Sequence, residues 1–216
     1  MEATMRGDVI IVEDHHRKAA KTIAEALERY IDGQNRRFAV TIAGESGSGK
    51  SEMGQALKEA LETVGYRTVV LQQDDYFVLP PKTNDARRRQ DISWIGTGEV
   101  KLDLLDGHLE TAKEGANSLT KPLVIYEEDR ITEETVSLDG IRVVIAEGTY
   151  TTLLKNADTH IFIARDYRET LPARKRRARE PFDPFIEKVL GIEHDIIAPH
   201  RNDADIVITS NYDVEF

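Results

Sequence analysis

The chain contains no cysteine. That absence excludes a disulfide scaffold, a thiol nucleophile, cysteine-ligated zinc and iron–sulfur clusters, and most metal and redox classes go with them. Long apolar runs are missing as well. Stretches such as Val9–Val12 and Val143–Ala146 stop at four residues, against the roughly 18–20 needed to cross a bilayer. Residues 1–20 hold no signal-like apolar block, so a cytoplasmic protein with no membrane partner is expected. Positive charge is short: 29 Lys and Arg face 39 Asp and Glu, a formal net charge of −10. Nucleic-acid binding relies on neutralising phosphates, so this balance argues against it, and any bound anion needs a local site. Repeats, low-complexity tracts and Gly/Ser or Pro-rich linkers are lacking too, so the 216 residues read as a single domain over 1–216, long enough to bury a core without staples.

What is present is an alternation of short β-branched runs with amphipathic stretches. Phe38–Ala43, Thr68–Leu71, Arg142–Ala146, Thr159–Ala164 and Asp205–Thr209 are near-continuous apolar runs, the pattern of strands buried on both faces. Between them Lys50–Val64 and Val100–Ala112 place apolar residues at helical spacing. Strand, helix, strand implies a parallel sheet covered by helices, an α/β fold. Asp14–Ile31 predicts an extra N-terminal helix with Asp14 as N-cap. Pro122–Tyr126 and Glu133–Leu138 suggest a short hairpin outside the sheet, and Pro80–Gly98, with its Pro and Gly pairs, reads as a long mobile loop.

The string Gly44-Glu45-Ser46-Gly47-Ser48-Gly49-Lys50-Ser51 fits G-x-x-x-x-G-K-[ST], follows an apolar run and opens an amphipathic one, the setting a phosphate-binding P-loop requires. Its backbone N–H groups and helix N-terminus would cradle phosphate oxygens, with Lys50 on the β/γ-phosphates and Ser51 on Mg²⁺. No Asn-Lys-x-Asp string follows, which argues against a Ras-like GTPase. Asp74 and Asp75 come just after the second strand run, and Glu147 ends the third. Carboxylates at strand carboxyl ends sit where open α/β sheets bind ligands, suited to deprotonating a hydroxyl or approaching a metal.

Three ordered motifs, GESGSGKS, LQQDDYF and VIAEGTY, resemble those of the uridine kinase and phosphoribulokinase family of P-loop kinases, and PHRNDADIVI is similar to its late strand. The resemblance runs from Phe38 to about Ile208. It implies a five-stranded parallel sheet in order 2-3-1-4-5 with helices on both faces and a helical lid. It further implies ATP as donor, Asp74 as acceptor base, and Ser51, Asp74 and Glu147 around Mg²⁺. Asp75 stands where the family usually has a small hydroxyl residue; if the register slips by one, Asp75 takes the base role.

The acceptor side departs from the family. Val124 falls at the position of a base-contacting Tyr, Asp129 at that of a His, and Asp91-Ile-Ser-Trp94-Ile replaces an expected Phe-Asp-His-Pro block. A pyrimidine nucleoside is therefore not the expected acceptor. Asp75, Tyr76, Asp129 and the run Arg87-Arg88-Arg89 are the candidate substrate residues, the arginines suiting a phosphorylated or carboxylated hydroxy compound. Arg165–Glu180 carries a net charge of +4 and matches the family's lid, with Arg174 and Arg177 expected at the transferring phosphoryl group. The six histidines show no metal spacing. The sequence thus predicts an ATP-dependent kinase of a small metabolite, free to form a homo-oligomer. A true uridine/cytidine kinase with a remodelled base pocket and a regulatory ATPase lacking an acceptor site remain the alternatives.

Overall fold

The computed structural model describes residues 10–170 and 183–216. In chain order the elements are α1 (Asp14–Asp32), β1 (Phe38–Gly44), α2 (Lys50–Thr63), β2 (Thr68–Gln72), α3 (Pro81–Gln90) and α4 (Leu102–Lys113). There follow β3 (Ser118–Ile125), β4 (Arg130–Ser137), β5 (Val143–Glu147), β6 (Thr159–Ile163), α5 (Pro184–Ile197), β7 (Ile206–Ile208) and β8 (Val214–Glu215). The main sheet runs β2-β5-β1-β6-β7-β8. Its first five strands are parallel, so the expected 2-3-1-4-5 order holds for them. The expected strand count does not: β8 adds a sixth, antiparallel strand, too short at two residues to leave a periodic signal.

Every residue of β1 and β5 is buried, which is why their sequences are continuously apolar rather than alternating. On one face Ile23, Leu27 and Ile31 of α1 and Met53, Leu57 and Leu61 of α2 share a core with Val40, Ile42 and Ile145. On the other, Leu105 and Leu109 of α4 and Ile197 of α5 pack with Ala39, Val144 and Phe162. The N-terminal helix is thus an integral layer, although its N-cap is Glu13 rather than Asp14. No helix among the described residues is long and apolar enough to cross a membrane.

Two other expectations need revision. The Pro80–Gly98 segment is α3 followed by two 3-10 turns, Ile92–Trp94 and Thr97–Glu99, not a loop. Its sequence, PKTNDARRRQ, has no apolar stripe and buries only Asn84, so hydrophobic periodicity has nothing to detect. The hairpin outside the sheet exists and is longer than expected, β3 pairing with β4 from Ser118↔Ser137 to Ile125↔Arg130. The expected lid arginines Arg174 and Arg177 lie outside the described residues.

Candidate active site

Register brings the site together. Ile42 and Gln72 both pair with Glu147, and Gly44 pairs with Ile163, so the carboxyl ends of β1, β2 and β5 are level where β1 turns into the Gly44–Ser51 loop. That turn demands glycine. Gly49, the N-cap of α2, has φ +101°, and a Cβ there would lie 2.7 Å from the Tyr212 hydroxyl; one on Gly44 would lie 2.8 Å from Ser48 Oγ. No side chain caps α2, which leaves its first-turn N–H groups to a ligand. The Ser48 hydroxyl is buried without a hydrogen-bond partner among the described residues. Lys50 Nζ donates to Glu45 O at 2.9 Å. A cradle with an orphaned donor and a local cation fits the phosphates of a nucleotide. The Glu45 side chain turns away from it, accepting from Tyr167 N at 2.7 Å and lying 2.7 Å from His194 Nδ1. Glu45 therefore braces the loop, as does Thr170 Oγ1, which donates to Ser46 O at 3.1 Å.

Ser51 Oγ donates to Glu147 Oε1 at 3.0 Å. Burial and the neighbouring charge of Asp74 push Glu147 up to about 7, against the pull of Lys50 and Ser51. Asp74, on the 3-10 turn Gln73–Tyr76, keeps access to solvent. The cleft walls still strip enough hydration to raise its carboxyl above the usual range, Asp75 adding to the effect and Lys50 and Arg88 opposing it. Two carboxyls that resist ionisation beside a lysine and a hydroxyl form a donor set that fits Mg²⁺, which would favour both charged forms.

Asp74 and the loop residue Ser46 line one cleft of about 320 Å³, with Asn84, Arg88, Tyr126 and Glu193 among its walls. Of the three arginines only Arg88 faces it, held by buried Glu99 at 2.5 and 2.8 Å and by Glu193 at 3.0 Å. Arg87 stacks on Trp94 and pairs with Asp91. Arg89 pairs with Asp85 and Asp183 over the Phe185 ring. The other expected substrate residues are turned elsewhere. Tyr76 is fully buried with its hydroxyl 2.8 Å from His108 Nδ1. Asp75 is buried on Lys121 and the Val124 amide. Asp129, at φ +47°, accepts from the N–H groups of Lys82 and Thr83 and from Thr83 Oγ1. It caps α3 across the hairpin, and its carboxyl is held below the usual range by Thr83 and Lys82.

Glu99, Lys121 and Glu193 escaped the sequence reading. Glu193 did leave a trace: it shares the buried face of α5 with Val189, Leu190 and Ile197, and an acid inside an apolar stripe calls for a partner.

Residues 39–167 match the model of the phosphoribulokinase/uridine kinase family. The chain belongs to this family. It is accordingly a P-loop kinase, an ATP-dependent phosphotransferase with a hydroxyl acceptor. The bifunctional alpha-galactosidase/sucrose kinase AgaSK of Mediterraneibacter gnavus is 28% identical over 206 residues, 88% of this chain and 22% of that protein. The chain thus spans about a fifth of AgaSK. A uridine kinase of Bacillus cereus is 24% identical over 188 residues, covering 82% of this chain and 87% of its own. In three dimensions the D-glycerate 3-kinase of Cryptococcus neoformans superposes with a TM-score of 0.63 at 15% identity, over 94% of this chain and 99% of the other. That likeness is one of fold.

Proposed function

We propose that this kinase transfers the ATP γ-phosphate to a hydroxyl of a neutral, hydroxyl-rich acceptor of the carbohydrate class. One observation carries the reading: among the described residues, the cleft that joins the phosphate loop to Asp74 is lined by Asp74, Glu193 and the Arg89-paired Asp85 against one cation, Arg88, itself paired to two glutamates. These residues offer an acceptor with its own negative charge no cation beyond the paired Arg88, which favours a neutral acceptor over the anionic one suggested by the arginine run. A sugar, by contrast, presents both donors and acceptors, which carboxylates, Asn84 and a guanidinium can meet. The sucrose kinase part of AgaSK's name lends support, and Val124, buried and apolar, offers a nucleobase edge no hydrogen bond from its side chain.

In this mechanism the Gly44–Ser51 cradle fixes the triphosphate and Lys50 swings from Glu45 O onto its outer phosphates. Ser51 with Glu147, and Asp74 beside them, would hold Mg²⁺, which supplies charge neutralisation on the phosphates. Asp74, held in its charged form, accepts the proton of the attacking hydroxyl. The test is coupled ADP release with sucrose, fructose, uridine and D-glycerate. A neutral sugar should show the highest kcat/KM, and preference for uridine or D-glycerate would overturn the acceptor class. Lys50→Ala should abolish most of the thermal shift given by Mg-ATP, since ligand stabilisation follows affinity for the native state; an equal shift would overturn the donor site.

A further inference from the structure

The 3-10 turn that carries the base presents two adjacent carboxylates to different cavities. Asp74 opens into the acceptor cleft, whereas Asp75 and Lys121 line a second cavity of about 400 Å³ between α2, β2 and the hairpin, which Ser51 and Glu147 also border. Asp75 Oδ2 lies 2.5 Å from Lys121 Nζ, and Asp75 Oδ1 accepts the Val124 N–H at 2.9 Å. Lys121 also reaches Glu134 Oε1, its direct cross-strand partner, at 2.8 Å and Pro122 O at 3.0 Å. All three ammonium protons are thereby used, and both side chains of the Asp75–Lys121 pair are only 4% exposed.

The two strand positions this network grips belong to the hairpin that walls the cleft, through Val124 and Tyr126. On the other flank of Asp74, Gln73 Oε1 accepts the Tyr150 N–H at 2.7 Å, in the loop leaving β5. The base is thus tied on one side to the phosphate end of the sheet and on the other to the acceptor wall. Buried ion pairs seldom improve stability over well-packed apolar side chains of the same volume. Fixing geometry is what this one does better: a serine here could make only part of the same set of bonds.

We infer that Asp75 and Lys121 are positioning residues that set the distance and angle between Asp74 and the acceptor held by the β3–β4 hairpin. The inference rests on Asp74 being the base proposed above. The experiment compares wild type with Asp75→Ser and Asp75→Asn, measuring kinetics with the sugar the wild type uses best, Mg-ATP affinity, and hydrogen exchange of hairpin and phosphate-loop amides. Asp75→Ser should lower kcat by about 100-fold, the scale of an ångström-level misplacement. The Val124 amide should exchange faster, while Mg-ATP affinity and phosphate-loop exchange stay as in wild type. Asp75→Asn, which keeps the bond to the Val124 N–H, should recover a large part of kcat and serves if the serine variant does not fold. Unchanged kinetics and exchange in Asp75→Ser, or a turnover in Asp75→Asn no better than in a folded Asp75→Ser, would overturn the inference, as would a parallel loss of Mg-ATP affinity and phosphate-loop protection, the mark of a merely structural role. If wild type turns over none of the sugars, the carbohydrate reading falls on its own, and the exchange pattern alone decides for or against the brace.

Discussion

The phosphate side and the acceptor side of the site are built in different ways. The phosphate side is one contiguous stretch, Gly44–Ser51, plus the strand-end residue Glu147, set beside it by sheet register. Its function comes from backbone geometry, so glycine and a helix start suffice. The acceptor side is gathered from the Asp74 turn, α3, the hairpin and α5, and charged side chains hold these pieces in place: Arg88 on Glu99 and Glu193, Asp129 on the start of α3, Asp75 on Lys121. Damage on the first side should therefore appear as lost nucleotide affinity, and damage on the second as lost stability or lost turnover with nucleotide affinity kept.

Arg88→Ala tests that contrast most severely. It strands Glu99, fully buried, and Glu193 without their cation, which should cost about 3–5 kcal/mol in urea unfolding. Mg-ATP should still bind what remains folded; loss of less than about 1 kcal/mol would mean the network is not what holds α3 to α5. Next comes Asp74→Asn, which keeps size and hydrogen bonding but cannot accept a proton. Turnover should fall at least about a hundredfold, the lower end of general-base contributions, with Mg-ATP affinity little altered. If Asp75→Asn is the more damaging of the two, the base has been assigned to the wrong neighbour.

Asp129→Ala removes the cap of α3 and should lower stability by about 1 kcal/mol, typical of a lost N-cap. Acceptor preference should be preserved, and a switch in preference would restore Asp129 to the substrate-contacting set. The smallest effect is expected at the pairing of β1 with β6. His160 Nδ1 lies 2.7 Å from Thr41 Oγ1, and burial holds its pKa below the ordinary 6.5, against the pull of Asp205. Below pH 6.5 the unfolded chain gains this proton first, so stability is full above that pH and declines as pH falls through the lower folded value. Melting temperatures at pH 7.5 and 5.5 should differ less in His160→Gln than in wild type. His200 and His108, depressed in the same direction, maintain part of the slope.

Legibility followed the same division. The strand runs, α2 and the phosphate loop were readable because their determinants are local: continuous apolar residues for two-sided burial and glycines at fixed offsets. Asp74 and Glu147 were readable as acids at strand ends. The segment 80–98 was misread because α3 has no apolar face; its order comes from Asp129 and Glu99, distant in sequence or hidden in a Gly-rich stretch. The arginine run illustrates the limit well. Three identical neighbours receive three fates, Arg87 on Trp94, Arg88 in the cleft and Arg89 on Asp85 and Asp183, because helical rotation points successive residues about 100° apart.

The sequence by itself determined that this chain holds a nucleotide's phosphates at the end of a buried strand and sets acids beside them, since those properties reside in residue type and spacing along one short stretch. Only the tertiary structure decided which aspartate opens into the cleft beside the phosphate loop, that Asp75 is spent on Lys121, and that Arg88 is neutralised by two glutamates. Those outcomes depend on which charges meet in a desolvated space, where an unpaired ion is costly and its partner can come from any part of the chain.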